Sequence, residues 1–247
     1  MILKASTLLL FPFLIVQGYK VKKNTLRLPE PQGERKGQSS EIDSHHKDEI
    51  SILILGDSAA AGVGVDEQSD ALSGHIVEGL SERHNIRWQL EAKTGYTSAQ
   101  LIKHTQDLNN QHFDIVITSI GVNDVTKLTS AKTWMSYQRK LYRLINEKFS
   151  PKMMIVTGVP PMNHFPALPN PLAWLFGQYA KAMNKNLAQF VRKTENMYLI
   201  EYDFEQYRAL NLSMAIDGFH PSREVYQYWA NQIVECILMN YPVKNET

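Results

Sequence analysis

The sequence predicts an α/β domain of three layers, in which a mostly parallel, five-stranded sheet is covered by helices on both faces. Three observations predict it. From Glu49 onward short apolar runs alternate with longer amphipathic stretches, the pattern of strand–helix–strand units. The first, third and fourth of these runs are close to continuously apolar, as strands covered on both faces require. No second linker and no internal repeat divides this stretch.

Strands are expected at Ile50–Leu55, Ile86–Ala92, Ile115–Ile120, Met153–Gly158 and Met197–Tyr202. Helices are expected near Ala71–Arg83, Ser98–Asn109, Ala131–Phe149, Leu172–Lys193 and Arg223–Met239. In the third of these Trp134, Tyr137, Leu141, Leu144, Ile145 and Phe149 recur at three- and four-residue spacing, which makes one stripe for burial. Strands joined by crossover helices run parallel with right-handed connections. Sheets of this kind place their sites at the carboxyl ends of strands.

Composition narrows the function classes. The 247 residues are 43% hydrophobic, and 26 Lys+Arg face 25 Asp+Glu, for a net charge of +1. That is a globular balance without the basic excess that phosphate-backbone binding needs, so no nucleic-acid partner is expected. The single cysteine, Cys236, excludes an intramolecular disulfide and a thiolate metal cluster. It lies among Ile233, Val234, Ile237 and Leu238 and reads as a small buried hydrophobe. The eight histidines form no HExxH, and a metal site at His45-His46 is improbable, so no metal is expected.

Three regions are expected: an apolar N-terminal segment 1–28, a polar linker 29–49 and the main domain 50–243. In the first, an apolar run from Leu8 to Val16 contains Pro12 and is followed by Lys20, Lys22, Lys23 and Arg27. The run is short against the roughly 20 helical residues that span a bilayer. A signal peptide fits the apolar length, and Val16-Gln17-Gly18 resembles a cleavage site, which would make the protein periplasmic or secreted. A membrane-surface anchor fits the charge placement better, with the basic cluster on the cytoplasmic side. The plain alternative is an arm packed on the domain itself. The linker, with Pro29, Pro31, Gly33 and Gly37, shows no apolar periodicity.

Four short stretches at predicted strand ends can carry chemistry. Gly56-Asp57-Ser58 follows the first strand, where a serine either acts as a nucleophile beside exposed N–H groups or caps the next helix. The surrounding glycines do not make a phosphate loop, since no Gly-Lys-Ser/Thr follows, and Ala60 breaks the Gly-x-Ser-x-Gly elbow. Gly95 closes the second strand as a turn or as a bare N–H open to substrate. Asn123, in Gly121-Val122-Asn123-Asp124, either caps a helix or donates to an oxyanion, a contact whose loss costs roughly 3 kcal/mol. In Asp217-Gly218-Phe219-His220 the carboxylate can orient the imidazole as a base.

In this order the four stretches resemble the SGNH (GDSL-type) hydrolase family over roughly residues 50 to 240, and look nearest to bacterial lysophospholipase/thioesterase-like esterases. The resemblance implies a flavodoxin-like sheet and a carboxylic ester hydrolase that needs no cofactor. It implies Ser58 as nucleophile, His220 as base and Asp217 as its partner, with Ser58 and Gly95 N–H groups and the Asn123 amide as the oxyanion hole. Ala59 stands where many relatives have Leu or Tyr, and Val122 where Ala is frequent; both bear on pocket shape.

The expected substrate is an acyl ester or thioester, lipid-like or short to medium in chain. The proline-rich apolar segment Pro160–Phe176 supports this as an acyl wall or lid, against the alternative of a loop packed on the core. A carbohydrate O-acetylesterase is the enzymatic alternative, and an inactive acyl- or glycan-binding module the non-enzymatic one.

Overall fold

The computed structural model describes residues 2–39 and 48–241; the His45-His46 pair lies outside them. In chain order the elements are α1 (Ile2–Asn24), β1 (Lys36–Gln38), β2 (Glu49–Gly56), α2 (Ser58–Ala61), α3 (Leu72–Ser81), β3 (Asn85–Ala92), α4 (Ser98–Asp107), β4 (Ile115–Ser119) and α5 (Val122–Thr126). They continue with α6 (Ala131–Phe149), β5 (Met153–Thr157), α7 (Leu172–Val191), β6 (Met197–Ile200), α8 (Phe204–Ala209) and α9 (Arg223–Asn240). The sheet order is β1-β3-β2-β4-β5-β6, parallel throughout except for β1.

Side-chain alternation along β2 builds both cores. Ile50, Ile52 and Ile54 enter a layer with Ala60 and Ala61 of α2, Leu72 and Ile76 of α3 and Trp229 of α9. Leu53 and Leu55 enter the opposite layer with Leu101 of α4, Trp134 and Phe149 of α6 and Leu175 of α7. Every second residue of a strand points the same way, so continuous apolarity feeds two helical layers at once. The expected stripe on α6 is the buried one, with Trp134, Leu141, Ile145 and Phe149 fully enclosed and Tyr137 and Leu144 at its margin.

The sheet has six strands rather than the expected five. Lys36–Gln38 pairs antiparallel with β3 at the edge, with all three residues exposed. Its polar composition leaves no apolar signal, which is why residues 29–39 read as linker. They run along the domain instead: Gln32 N–H donates to Asp66 O at 2.9 Å, and Ser39 N–H to Ile86 O at 2.8 Å. The N-terminal run is also longer than its apolar core, since α1 continues through Pro12 to Asn24. Leu14 is buried in the α7-side layer, and Leu10 and Val21 pack against it. Gln17 donates to Asn170 O at 2.7 Å and accepts from Leu172 N–H at 3.2 Å. Among the described residues no helix is long and apolar enough to cross a membrane.

At the amino ends of the strands one polar group interrupts the core. Ser51 donates to Asp114 Oδ2 through its N–H at 2.9 Å and its hydroxyl at 2.6 Å, and Asp114 N–H returns a bond to Ser51 Oγ at 2.9 Å. Lys152 Nζ and Tyr241 OH donate to Asp114 Oδ1 at 2.7 and 3.0 Å. Burial alone would raise the Asp114 carboxyl, but bonds from Lys152 and Ser51 outweigh it and hold it well below the usual range. Ser51→Ala is therefore expected to cost about 1–3 kcal/mol in urea denaturation at neutral pH. The depressed carboxyl stabilises above the ordinary Asp range and loses that contribution as pH falls, so the penalty of Asp114→Asn should shrink in acid.

Candidate active site

β2 sits between β3 and β4, so the chain leaving it at Gly56 emerges between two other strand ends. A side chain on Gly56 would place Cβ 2.3 Å from Ser119 O and 2.4 Å from Ala60 Cβ, so only glycine lets the strands close here. The capping alternative for Ser58 is answered by its neighbour: Asp57 is the cap, its Oδ1 accepting from Ala59 N–H at 3.1 Å. Ser58 is the first residue of α2, and its Oγ lies 2.9 Å from His220 Nε2.

His220 is held by a turn built on Asp217. Oδ1 of Asp217 accepts from the N–H groups of Phe219 and His220 at 2.9 and 3.0 Å, while Oδ2 stands 2.5 Å from His220 Nδ1. The Asp217 side chain is fully buried. Burial pushes its carboxyl up, but the bonds from the His220 backbone and ring and the Phe219 N–H outweigh it and hold it below the usual range. An ionised carboxylate on Nδ1 fixes the tautomer with a proton there, leaving Nε2 to accept from the Ser58 hydroxyl. The row can thus move a proton from Ser58 to His220 as Oγ attacks an electrophile.

Asn123 and Gly95 meet at the other side of Ser58. Asn123 does not cap α5, whose cap is Gly121; its Nδ2 donates to Tyr96 O at 2.9 Å. This bond joins the strand ends of β4 and β3 across the end of β2. It uses one of the two amide donors, so the second is available to a ligand. Gly95 has φ +85°, and nothing lies within 4 Å of where its Cβ would be, so its backbone is open to close approach. Neither residue lines the main cleft, which extends from Ser58 and His220 toward the ends of β5 and β6.

That cleft has a volume of about 320 Å³. Ala59 and Val122, the two departures from the family pattern, both line it. The segment Pro160–Phe176 both lines the cleft and packs on the core: Pro160, Pro161, His164 and Pro166 face the cleft, while Met162, Leu168 and Phe176 are buried in the core. Phe165 does both. The His164 ring stacks on Phe204 with centroids 3.5 Å apart, and burial and the Arg208 charge lower its pKa. Tyr202 and Tyr207 complete the far wall, on a stretch in which no helix was expected. Its apolar signal is one turn of helix, α8, with no buried residue.

Two further carboxylates lie beneath the site. Asp57 is 2% exposed, and burial, with the Asp124 charge acting the same way, pushes its carboxyl up to about 7. Asp124 accepts from Ser98 N–H and Oγ, both at 2.9 Å, and burial raises it too. Glu30, in the stretch read as linker, accepts from Thr94 N–H and Oγ1 at 2.8 and 2.7 Å, beside Gly95. No motif marked it. Cys236 is half-buried at the margin of the α9-side layer rather than enclosed in it, and burial raises its thiol.

The sequence profile of the GDSL-like Lipase/Acylhydrolase family matches residues 54–228. The chain belongs to that family and is an SGNH-type carboxylic ester hydrolase, which sets aside the inactive binding module. Among solved structures it is similar to a lipolytic protein of the G-D-S-L family from Veillonella parvula, at TM-score 0.61 and 14% identity over 78% of this chain and 98% of that one. The psychrotrophic esterase EstA from Pseudoalteromonas sp. gives TM-score 0.57 and 18% identity over 76% and 97%. A carbohydrate esterase family 2 enzyme from Corynascus thermopiles gives 0.63 and 12% over 80% and 68%. No curated protein sequence matches the chain.

A pH test follows from Asp57. Its folded carboxyl titrates above the unfolded one, so its stabilisation is complete in acid and is lost as pH rises from about 4 through about 7. Asp124, raised in the same direction, adds to the decline. Thermal unfolding of Asp57→Asn across this window should show a shallower loss of stability with rising pH than the parent.

Proposed function

We propose that the protein hydrolyses a short-to-medium, lipid-like acyl ester or thioester through an acyl-enzyme on Ser58. The observation that carries this is the row from Ser58 Oγ to His220 Nε2 to Asp217, with contacts of 2.9 and 2.5 Å. His220 Nε2 takes the hydroxyl proton as Oγ bonds to the carbonyl carbon, and the carbonyl electron pair moves onto oxygen. The N–H groups of Ser58 and Gly95 and the Asn123 amide receive that oxyanion. On collapse the bond to the leaving oxygen or sulfur breaks, and His220 delivers its proton to the departing atom. A water activated by His220 then releases the acid and restores Ser58.

The cleft supports the acyl class. At about 320 Å³ it lies at the small end of the roughly 300–1,000 Å³ typical of ligand sites, and its walls are mostly apolar, with several prolines and aromatics. The similarity to a carbohydrate esterase keeps sugar O-deacetylation as the second reading. On p-nitrophenyl esters from acetate to palmitate the optimum is expected at roughly four to ten carbons, the reach of so small a cleft. A peak at acetate, with hydrolysis of acetylated sugars, would favour the second reading. Ser58→Ala and His220→Ala should each lose about a thousandfold or more in kcat, and Asp217→Ala less.

The proposed place of work is a membrane surface, cytoplasmic side, reached through residues 1–28. Phe13, Ile15, Val16 and Tyr19 are exposed on α1, and Lys20, Lys22 and Lys23 follow. An apolar face next to a cationic cluster suits anionic headgroups. The full chain should co-sediment with vesicles containing anionic lipid, and replacing the three lysines by Glu should weaken this about a hundredfold, at roughly 1 kcal/mol per charge removed or more. Release into the periplasm without residues 1–18 would support the signal-peptide alternative instead.

A further inference from the structure

The turn that carries Gly95 is held from both sides. Asn123 Nδ2 binds the carbonyl of Tyr96, and Glu30 Oε1 takes both the N–H and the hydroxyl of Thr94. Glu30 is itself fixed: its Oε2 pairs with Arg35 Nη1 at 2.9 Å, and Arg35 Nη2 donates to Ala92 O at the end of β3. Arg35 O accepts from Leu90 N–H at 2.7 Å. The same segment is tied on its other flank, where Gln32 O accepts from Gln68 N–H at 2.7 Å. Pro31 Cγ stands 2.8 Å from where a Cβ on Gly62 would lie, and Gly62 ends the helix that begins with Ser58.

We infer that residues 29–39 are a strap that sets the distance between the nucleophile and the oxyanion hole, with Glu30 as the positioning residue for the Gly95 turn. This rests on the reading of Gly95 as an oxyanion donor. The strap precedes residues 54–228, the stretch shared with the family. Glu30 and Arg35 are about one-third exposed, and an ion pair at that exposure contributes little to stability. Its consequence is therefore expected in transition-state stabilisation rather than in folding. Gly95 itself has no side chain to hold it, so the placement of its N–H follows from what grips Thr94 and Tyr96.

The test compares Glu30→Ala, Glu30→Gln and Asn123→Ala in the full chain. Three quantities are measured: kcat and KM on a short p-nitrophenyl ester, the rate at which a p-nitrophenyl phosphonate modifies Ser58, and Tm. Removing a whole oxyanion donor costs about a hundredfold or more, and loosening one should cost about tenfold. Glu30→Ala is expected to lower kcat and the phosphonylation rate by that same factor, with KM within about twofold and Tm little changed. Glu30→Gln keeps a carbonyl acceptor for Thr94 and should recover most of the loss. Unchanged kcat in Glu30→Ala, with a large loss in Asn123→Ala, would overturn the strap and leave the oxyanion hole standing. Unchanged kcat in both would overturn the two together. A fall in Tm and kcat that Gln does not rescue would reduce Glu30 to a structural role and overturn the proposal.

Discussion

The close contact between the end of β2 and β4 is the constraint on which the site depends. Gly56 lies so near Ser119 O that no side chain fits, and Asp57 N–H donates to that same oxygen at 3.1 Å. β2 is also the strand at which the order reverses, since the crossover to β3 lies in the α3 layer and the later ones in the opposite layer. Crevices form where connections part in this way. Ser58 therefore leaves the sheet between Gly95 on one side and Asn123 on the other, and His220 reaches it from the loop before α9. Each of these four residues sits on a different segment, and only the sheet order brings them within reach of one carbonyl group.

Burial acts on two of the site's carboxylates with opposite results. Asp217 and Asp57 are both enclosed, and enclosure alone raises both. Asp217 gains two backbone N–H bonds and the imidazole, which outweigh the loss of water and keep it ionised at neutral pH. Asp57 accepts from the N–H groups of Ala59 and Gly121 but lies deeper and faces the Asp124 charge, so its carboxyl is pushed up to about 7. One can orient a base that becomes positively charged during the reaction; the other caps α2 without putting a second full charge beside Ser58. The difference lies in depth and in the neighbouring charge, not in the count of bonds.

What was legible in the sequence follows from what leaves a pattern. The five parallel strands fall within two residues of their expected bounds, and β2, β4 and β5 left the clearest signal because burial on both faces demands near-continuous apolar runs. Ser58, His220 and Asp217 were legible because short motifs carry them, although their meeting over 162 residues was not deducible from periodicity. β1 was not legible, since Lys36-Gly37-Gln38 pairs through backbone alone. Glu30 was hidden for the same reason: its role lies in bonds to Thr94, and Pro29 and Pro31 beside it read as linker. Tyr202 and Tyr207 line the cleft from a stretch whose helix, α8, buries nothing of its own.

The strap also sets how far the site can stand from the N-terminal helix. α1 ends at Asn24 and Glu30 follows six positions later, a reach of at most about 20 Å even if fully extended. Gln17 adds a second tie, at Asn170 and Leu172, where the cleft-wall segment enters α7. The two ties hold α1 to the turn beside Gly95 and to the far end of the cleft wall. A lipid surface engaging Phe13, Ile15, Val16 and Tyr19 would thus meet a helix whose opposite side, at Leu14, is packed into the domain core. An ester that partitions into the bilayer would then reach the cleft without full transfer through water. That saves the apolar desolvation which makes long acyl chains slow to leave a membrane, about 0.8 kcal/mol per methylene. Such an arrangement would suit an acyl ester presented at a surface, whereas for a soluble acetylated sugar α1 would act only through its packing on the domain at Leu14 and Gln17.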